Sequence, residues 1–355
     1  MPDYSDVLSS AHNNDPIQIL IVGPAWIGDM VMAQSLFISL KQRYPESRID
    51  VLAPAWSFPL LHRMPEVNEA LLLPLSHGQF GFLKRCRIGL SLRNRNYNWA
   101  IIIPSTWKSA LPPFFGGCKR RTGYVGEQRY GLLNDMRILN KAVTVRVVER
   151  YLTLGWQADV IPPTPHPPPA LLVNPVLAEA TRVKLALPVQ APLVLCPGAE
   201  GGPAKRWPTS HFVAVSQWWL EQGGVVWLMG SEKDYAAAAA IDAATDYSCH
   251  NLCGKTTLEQ AIDLLSLAEA VVSNDSGLMH VAAALGKLQV AIYGSTDPHC
   301  TPPLNKSARI VRLVLSCSPC GRGECPLGHY QCLNGLEPKE VIAALGELLS
   351  LAHSE

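Results

Sequence analysis

Short apolar runs, each only long enough for a buried strand, recur along the chain and alternate with stretches of helical spacing. In the front half these are IQILIVG (17–23), RIDVLAP (48–54) and WAIIIPS (99–105). Between the first two, Ala33, Leu36, Phe37 and Leu40 repeat at helical spacing and mark one apolar face. The rear half restarts the same rhythm. PLVLCPG (192–198), GVVWLMG (224–230), AVVSND (270–275) and QVAIYG (289–294) read as strands, and HFVAVSQWWLEQG, LEQAIDLLSLA and GLMHVAAALG read as the helices between them. Near-continuous apolar strands separated by amphipathic helices predict an α/β fold of doubly wound parallel sheets, covered on both faces.

The run IPPTPHPPPALLVNP (161–175) can continue neither a helix nor a central strand, because proline lacks the donor and fixes its backbone angle. It reads as a linker. The expected organisation is an extension over 1–16, a Rossmann-like domain over 17–165, a second over 166–335 and a C-terminal helix over 336–355. Two such domains are expected to enclose a cleft, with ligands at the carboxyl ends of the strands.

Composition agrees with a chain that buries large cores: 355 residues, 48% hydrophobic and 17% charged. No apolar run reaches the length of a membrane span, and the polar start MPDYSDVLSSAHNNDPIQ lacks the basic and apolar regions of a secretory signal. A cytoplasmic protein is expected. Net charge is only +1, yet residues 84–150 carry fourteen Lys or Arg against three acids, a local +11 that leaves −10 elsewhere. Such a field attracts an anionic partner; the alternative is an ordinary solvated surface. Aromatics are not interleaved with these cations as stacking platforms, which argues against nucleic acid.

The rear half carries the clearer chemistry. In VVSNDSGLMHVAAALG a strand runs into Asn274, Asp275, Ser276 and Gly277, and Leu278 then opens an apolar helix face. Free N–H groups at a helix start, with the positive end of the dipole beside them, suit a diphosphate. His280, one turn along, either points toward that anion or is structural. CPGAEGGPAKRWP is a flexible loop after a strand, running from Gly198 to Lys205 and Arg206, and it brings a cation within reach of a phosphate oxygen. LMGSEKD ends a strand with Ser231 and Glu232, a carboxylate placed to accept ribose hydroxyls. Together these three loops predict a nucleotide diphosphate site.

No G-x-G-x-x-G, Walker lysine loop or Asp-x-Asp pair occurs, so dehydrogenase, P-loop and metal-held sugar-nucleotide readings lose support. No cofactor and no catalytic metal are expected. In the front half Asp29 follows the first strand, where a carboxylate would repel a bound diphosphate; a helix cap and a general base are both open to it. Cys317, Cys320, Cys325 and Cys332, with His329 nearby, are spaced compactly enough for a zinc knuckle. Reduced structural thiols or adventitious oxidation are preferred over zinc, and no catalytic role is expected, since nothing in the sequence ties this segment to the strand-end loops.

The motifs GPAWIGDMVMAQSL, PEVNEALLLPLSHG, RRTGYVGEQRYGLLND, KRWP, NDSGLMHVAAALG and YGSTDP, in that order, resemble the bacterial lipopolysaccharide heptosyltransferases of glycosyltransferase family 9, over about residues 17–350. The resemblance implies the two-domain GT-B fold and inverting, metal-independent transfer of heptose from ADP-heptose to the first heptose of the lipopolysaccharide inner core. It further implies a monomer, cytoplasmic and peripheral on the inner membrane. By motif, Asp29 resembles the catalytic base and Lys205 the lysine facing the donor phosphates. Glu232 resembles the ribose-binding acid, and Asp275, Ser276, Gly277, Leu278 and His280 match the phosphate turn. GAEGGPA departs from the Thr-bearing loops of some relatives, which removes hydroxyl contacts there. Lys108, Arg120, Arg121 and Arg129 are the expected cradle for the acidic Kdo sugars and phosphates of the acceptor. Competing readings are another nucleotide-sugar transferase or epimerase on the same architecture, and a polyanion-binding protein without turnover.

Overall fold

The computed structural model describes residues 16–75, 78–158 and 160–352. Apart from Pro16, the expected N-terminal extension lies outside these residues. By its internal contacts the chain divides into two units, Met1–Pro169 and Ala170–Glu355, and the division falls inside the proline-rich run.

The first unit is built on six parallel strands: β1 (Gln18–Val22), β2 (Arg48–Ala53), β3 (Val67–Leu72), β4 (Trp99–Ile102), β5 (Arg120–Tyr124) and β6 (Asp135–Arg137), in the order β3-β2-β1-β4-β5-β6. Four helices support the residues of interest in this unit: α1 (Ile27–Arg43), α2 (Phe82–Ser91), α3 (Leu111–Phe115) and α4 (Val147–Leu154). The apolar runs read from the sequence are the central strands β1, β2 and β4. All but the leading residue of β1 and of β2 are buried, as parallel strands covered on both faces must be. The helix around Leu36 and Phe37 is α1, which packs against α4.

The second unit repeats the plan with β7 (Pro192–Cys196), β8 (Val225–Leu228), β9 (His250–Asn251), β10 (Ala270–Asn274), β11 (Leu288–Ile292) and β12 (Ala308–Val311), ordered β12-β11-β10-β7-β8-β9. Its core joins these strands to α5 (Thr209–Glu221) and α7 (Pro338–Ala352), the latter through Val341, Leu345 and Leu348; α6 (Gly277–Ala284) follows β10. The C-terminal helix is thus part of the second core.

Numbered from their own first strand, both sheets run 3-2-1-4-5-6. In this order the chain reverses direction between the first and fourth strands, and the connections diverge to opposite faces, leaving a crevice at the carboxyl edge. That crevice lies between β1 and β4 in the first unit and between β7 and β10 in the second.

Candidate active site

In the second unit the two strands flanking the crevice deliver the phosphate-site residues. β10 ends at Asn274, whose buried side chain accepts from the Trp207 N–H at 3.1 Å and donates to the Pro197 carbonyl at 2.7 Å. One amide side chain thereby pins both ends of the loop that follows β7. The sequence placed Asn274 in the turn but gave it no role. Its signal was an amide side chain at the end of an otherwise apolar strand, where hydrogen bonds must be found internally.

Next along the chain, Asp275 meets Lys205: the ammonium lies 2.9 Å from the carboxylate, with Asp275 buried and Lys205 about a quarter exposed. Lys205 reaches this position on a short turn, Pro203–Lys205, entered through Gly202 at φ 109°, a conformation that L side chains rarely adopt. The Cα of Gly202 also abuts the Gly323 carbonyl, which accepts from the Ala204 N–H at 3.0 Å. Gly321 N–H in turn donates to the Ser295 carbonyl at 2.7 Å. The cysteine-bearing segment therefore buttresses the lysine loop, a connection the sequence reading denied. Among the described residues no group of three or more His, Cys, Asp or Glu is arranged to hold a metal ion.

Helix α6 begins at Gly277 after Ser276, which makes no side-chain cap, so the N–H groups of the first turn have no intrahelical partner. The Ser276 hydroxyl is 3.1 Å from that of Ser273. Leu278 sits in this first turn. His280 is buried in the same helix, and its pKa is pushed down to about 4, first by burial, with Lys205 adding to the effect and Asp275 opposing it. It is a neutral imidazole at neutral pH and does not add a positive charge for an anion. Of the two readings open to it, toward the anion or structural, its burial favours the structural one.

At the end of β8, Ser231 donates from its backbone N–H (2.9 Å) and its hydroxyl (2.8 Å) to Asp234, whose carboxyl group also lies against Gly198, leaving no room for a side chain there. Lys233 pairs with Glu200 at 2.8 Å and links the loops after β7 and β8. Glu232 lies exposed on this turn, as a ribose-binding acid must. Asp234, which organises the corner, was missed because it reads as one more surface acid.

In the first unit, Asp29 stands in the first turn of α1 after β1, beside the β1/β4 crevice. The N-cap position belongs to Trp26, which makes no side-chain cap, so Asp29 is not the capping residue. Its carboxylate is hydrogen bonded to Tyr151 of α4, whose hydroxyl is held well above its usual pKa by burial, by the Asp29 charge and by that bond. At neutral pH the phenol is therefore the donor. Tyr124 fixes α4 to β5, its hydroxyl donating to the Arg150 carbonyl at 2.8 Å.

The four expected acceptor residues separate. Arg129 is fully buried, its guanidinium donating to the carbonyls of Tyr124 and Pro104 and to the Ser109 hydroxyl, and burial lowers its pKa to about 10. Arg120 is buried against Asp135 at 2.7 Å and stacks over Trp99 at 4.6 Å. Both are internal struts, which corrects their assignment to an acceptor cradle. Arg121 donates to the Cys118 and Leu132 carbonyls, each at 2.7 Å, and lies over Phe114. Lys108 donates to the Gln79 carbonyl at 3.3 Å and remains partly exposed.

Residues 85–331 match the family model described as "Glycosyltransferase family 9 (heptosyltransferase)". The chain is 44% identical over 343 residues to lipopolysaccharide heptosyltransferase 2 of Escherichia coli K12, covering 94% of this chain and 99% of the relative. It is 45% identical over 349 residues to lipooligosaccharide heptosyltransferase 2 of Haemophilus ducreyi, covering 94% and 100%. It superposes on the structure of E. coli ADP-heptose LPS heptosyltransferase II with a TM-score of 0.84 at 42% identity, covering 95% of this chain and 100% of that one. By fold, by family model and by likeness along nearly its whole length, the chain belongs to glycosyltransferase family 9, the heptosyltransferases.

Proposed function

We propose that the protein transfers L-glycero-D-manno-heptose from ADP-heptose to the first heptose of the lipopolysaccharide inner core, with inversion at the anomeric carbon and without a resident metal. The observation that carries this reading is the 44% identity over 94% of the chain to lipopolysaccharide heptosyltransferase 2. The first unit takes the acceptor and the second the donor. As an acceptor hydroxyl oxygen attacks the anomeric carbon, its proton passes to Asp29, the bond from that carbon to the diphosphate oxygen breaks, and ADP leaves with the electron pair. General-base help of this kind is worth roughly 10²–10⁴ in rate.

Charge building on the departing diphosphate is met by Lys205 and by the first-turn N–H groups of α6, a preorganised arrangement that needs no rearrangement during the reaction. Lys205 is paired with Asp275 at 2.9 Å before the donor arrives. That pairing holds the long side chain in place, so less of its freedom is lost on binding. Glu232 and Ser231 take the ribose side. No helix among the described residues is long and apolar enough to cross a membrane; the protein works as a monomer at the cytoplasmic face of the inner membrane, where a lipid-anchored acceptor is found.

The test incubates purified protein with ADP-heptose and lipopolysaccharide acceptors truncated after successive sugars. The expected product is a gain of one heptose on the acceptor that already carries a single heptose, read by mass spectrometry. Transfer only to heptose-free acceptor, or only from another nucleotide sugar, refutes the proposal.

A further inference from the structure

From residue 70 to residue 126 the chain contains nine Lys or Arg and no carboxylate. Within this stretch the side chains of Phe80, Phe82 and Trp107 form a platform of nearly parallel rings, which corrects the expectation that no aromatic platform stands among these cations. Their centroids are 6.0–6.4 Å apart and their planes differ by 13–16°. The platform faces outward: Phe80 is 53% and Phe82 39% exposed, and Leu83 beside them is 67% exposed. Along α2 the exposed positions continue through Lys84, Arg87 and Leu90, and Phe114 of the adjoining α3 is also exposed. Large apolar side chains left in water at this density are disfavoured unless something covers them.

The platform is held in place from beneath. Arg85, buried, donates to the Phe80 carbonyl at 2.8 Å and to those of Gln79 and Lys108 at 3.4 and 3.5 Å. One guanidinium thus ties the strand-to-helix turn that carries Phe80 to the loop that carries Trp107. By contrast Lys84 and Arg87 are exposed and, among the described residues, have no ion-pair partner. Aromatic and aliphatic groups flanked by unpaired cations, with the Glu127 carboxylate held at their edge by the Trp107 backbone N–H at 2.8 Å, fit a bilayer interface bearing anionic headgroups. There the rings enter the headgroup boundary and the cations meet phosphate. The patch lies at the functional edge of its sheet. Val22 of β1 is in register with Ile102 of β4; the helix carrying Asp29 starts five residues beyond the first, and Trp107 lies five beyond the second.

We infer that the Phe80, Phe82, Leu83 and Trp107 platform, with Lys84 and Arg87, is the surface by which the protein docks on an anionic lipid bilayer. This rests on the proposed lipid-anchored acceptor for its purpose, but its primary test does not. Full-length protein is floated with phosphatidylcholine vesicles and with vesicles of equal phosphatidylglycerol and phosphatidylcholine. The wild type should bind the anionic vesicles at low salt and lose that binding in high salt. Phe82→Ser with Leu83→Ser should weaken it at least tenfold, as should Lys84→Glu with Arg87→Glu. Leu83→Glu alone, at the most exposed position, guards against misfolding of the double variants and should weaken it severalfold. On a water-soluble acceptor oligosaccharide the variants should turn over as wild type, while on vesicle-embedded acceptor they should fall behind. Wild type that ignores anionic vesicles, variants that bind as well as wild type, or a patch that instead mediates self-association by sedimentation overturns the inference. Absence of transfer to either acceptor would refute the heptosyltransfer reading and leave the vesicle result standing.

Discussion

The His280 imidazole offers a quantitative check on the donor turn. It sits buried in α6 next to Asp275 and Lys205, and its pKa falls from 6.5 to about 4, chiefly because burial disfavours the charged ring. As pH falls, the unfolded chain takes up this proton first, near 6.5, and the folded protein only near 4. The stability contribution of the neutral ring is therefore complete above 6.5 and is lost as pH drops from 6.5 to 4. At 1.36 kcal/mol per pH unit the whole effect is about 3 kcal/mol, of which about 2 kcal/mol is gone by pH 5. The assay is a titration of ¹³C-labelled histidine by NMR, with the His280 signal identified by its loss in His280→Gln. A midpoint near 4 is expected, and it should rise in Lys205→Met, because Lys205 is one of the groups lowering it. A midpoint near 6.5 in the wild type would mean the ring is in water and the turn is not packed as described.

Other outcomes rest on the same geometry. Lys205→Ala should weaken ADP binding by about 10- to 100-fold, the loss of one charge-assisted contact of roughly 1.5–3 kcal/mol, as measured by calorimetry; unchanged affinity would remove Lys205 from the phosphate site. Tyr151→Phe deletes the donor to the Asp29 carboxylate and should lower kcat about tenfold with little change in donor KM; wild-type turnover would show that the bond does not position the base. Arg129→Met strands the carbonyls of Tyr124 and Pro104 and should cost roughly 1–3 kcal/mol in thermal or denaturant unfolding, while folded protein keeps its acceptor KM. A large rise in acceptor KM without loss of stability would restore Arg129 to the acceptor site.

Much of the fold was legible because parallel strands buried on both faces must be largely apolar, and the runs at β1, β4, β7 and β10 are, apart from Gln18 at the start of β1 and Ser273 and Asn274 at the end of β10. The donor loops could be placed because residues at the ends of such strands come together at the crevice whatever their separation along the chain. Side chains that act across the fold were harder to see. Arg120 and Arg129 look like surface charges in CKRRTGY and EQRY; their burial depends on Asp135, Ser109 and backbone carbonyls brought near only by the pairing of β5 with β4 and β6 and the segments that follow β4 and β5. Tyr151 shows no signal at all in the sequence, since its link to Asp29 exists only where α4 crosses α1. In the sequence nothing ties the cysteine segment to the strand-end loops, yet it supports Lys205 through backbone groups of Gly321 and Gly323, which no side-chain pattern records.

Asp29 is the residue on which the proposed chemistry turns. Asp29→Asn keeps size and hydrogen bonding but cannot take up the acceptor proton. With purified variant, the affinity for ADP-heptose should match that of the wild type while kcat falls by about 10²-fold or more. Turnover within a few-fold of wild type at equal donor affinity would contradict the account.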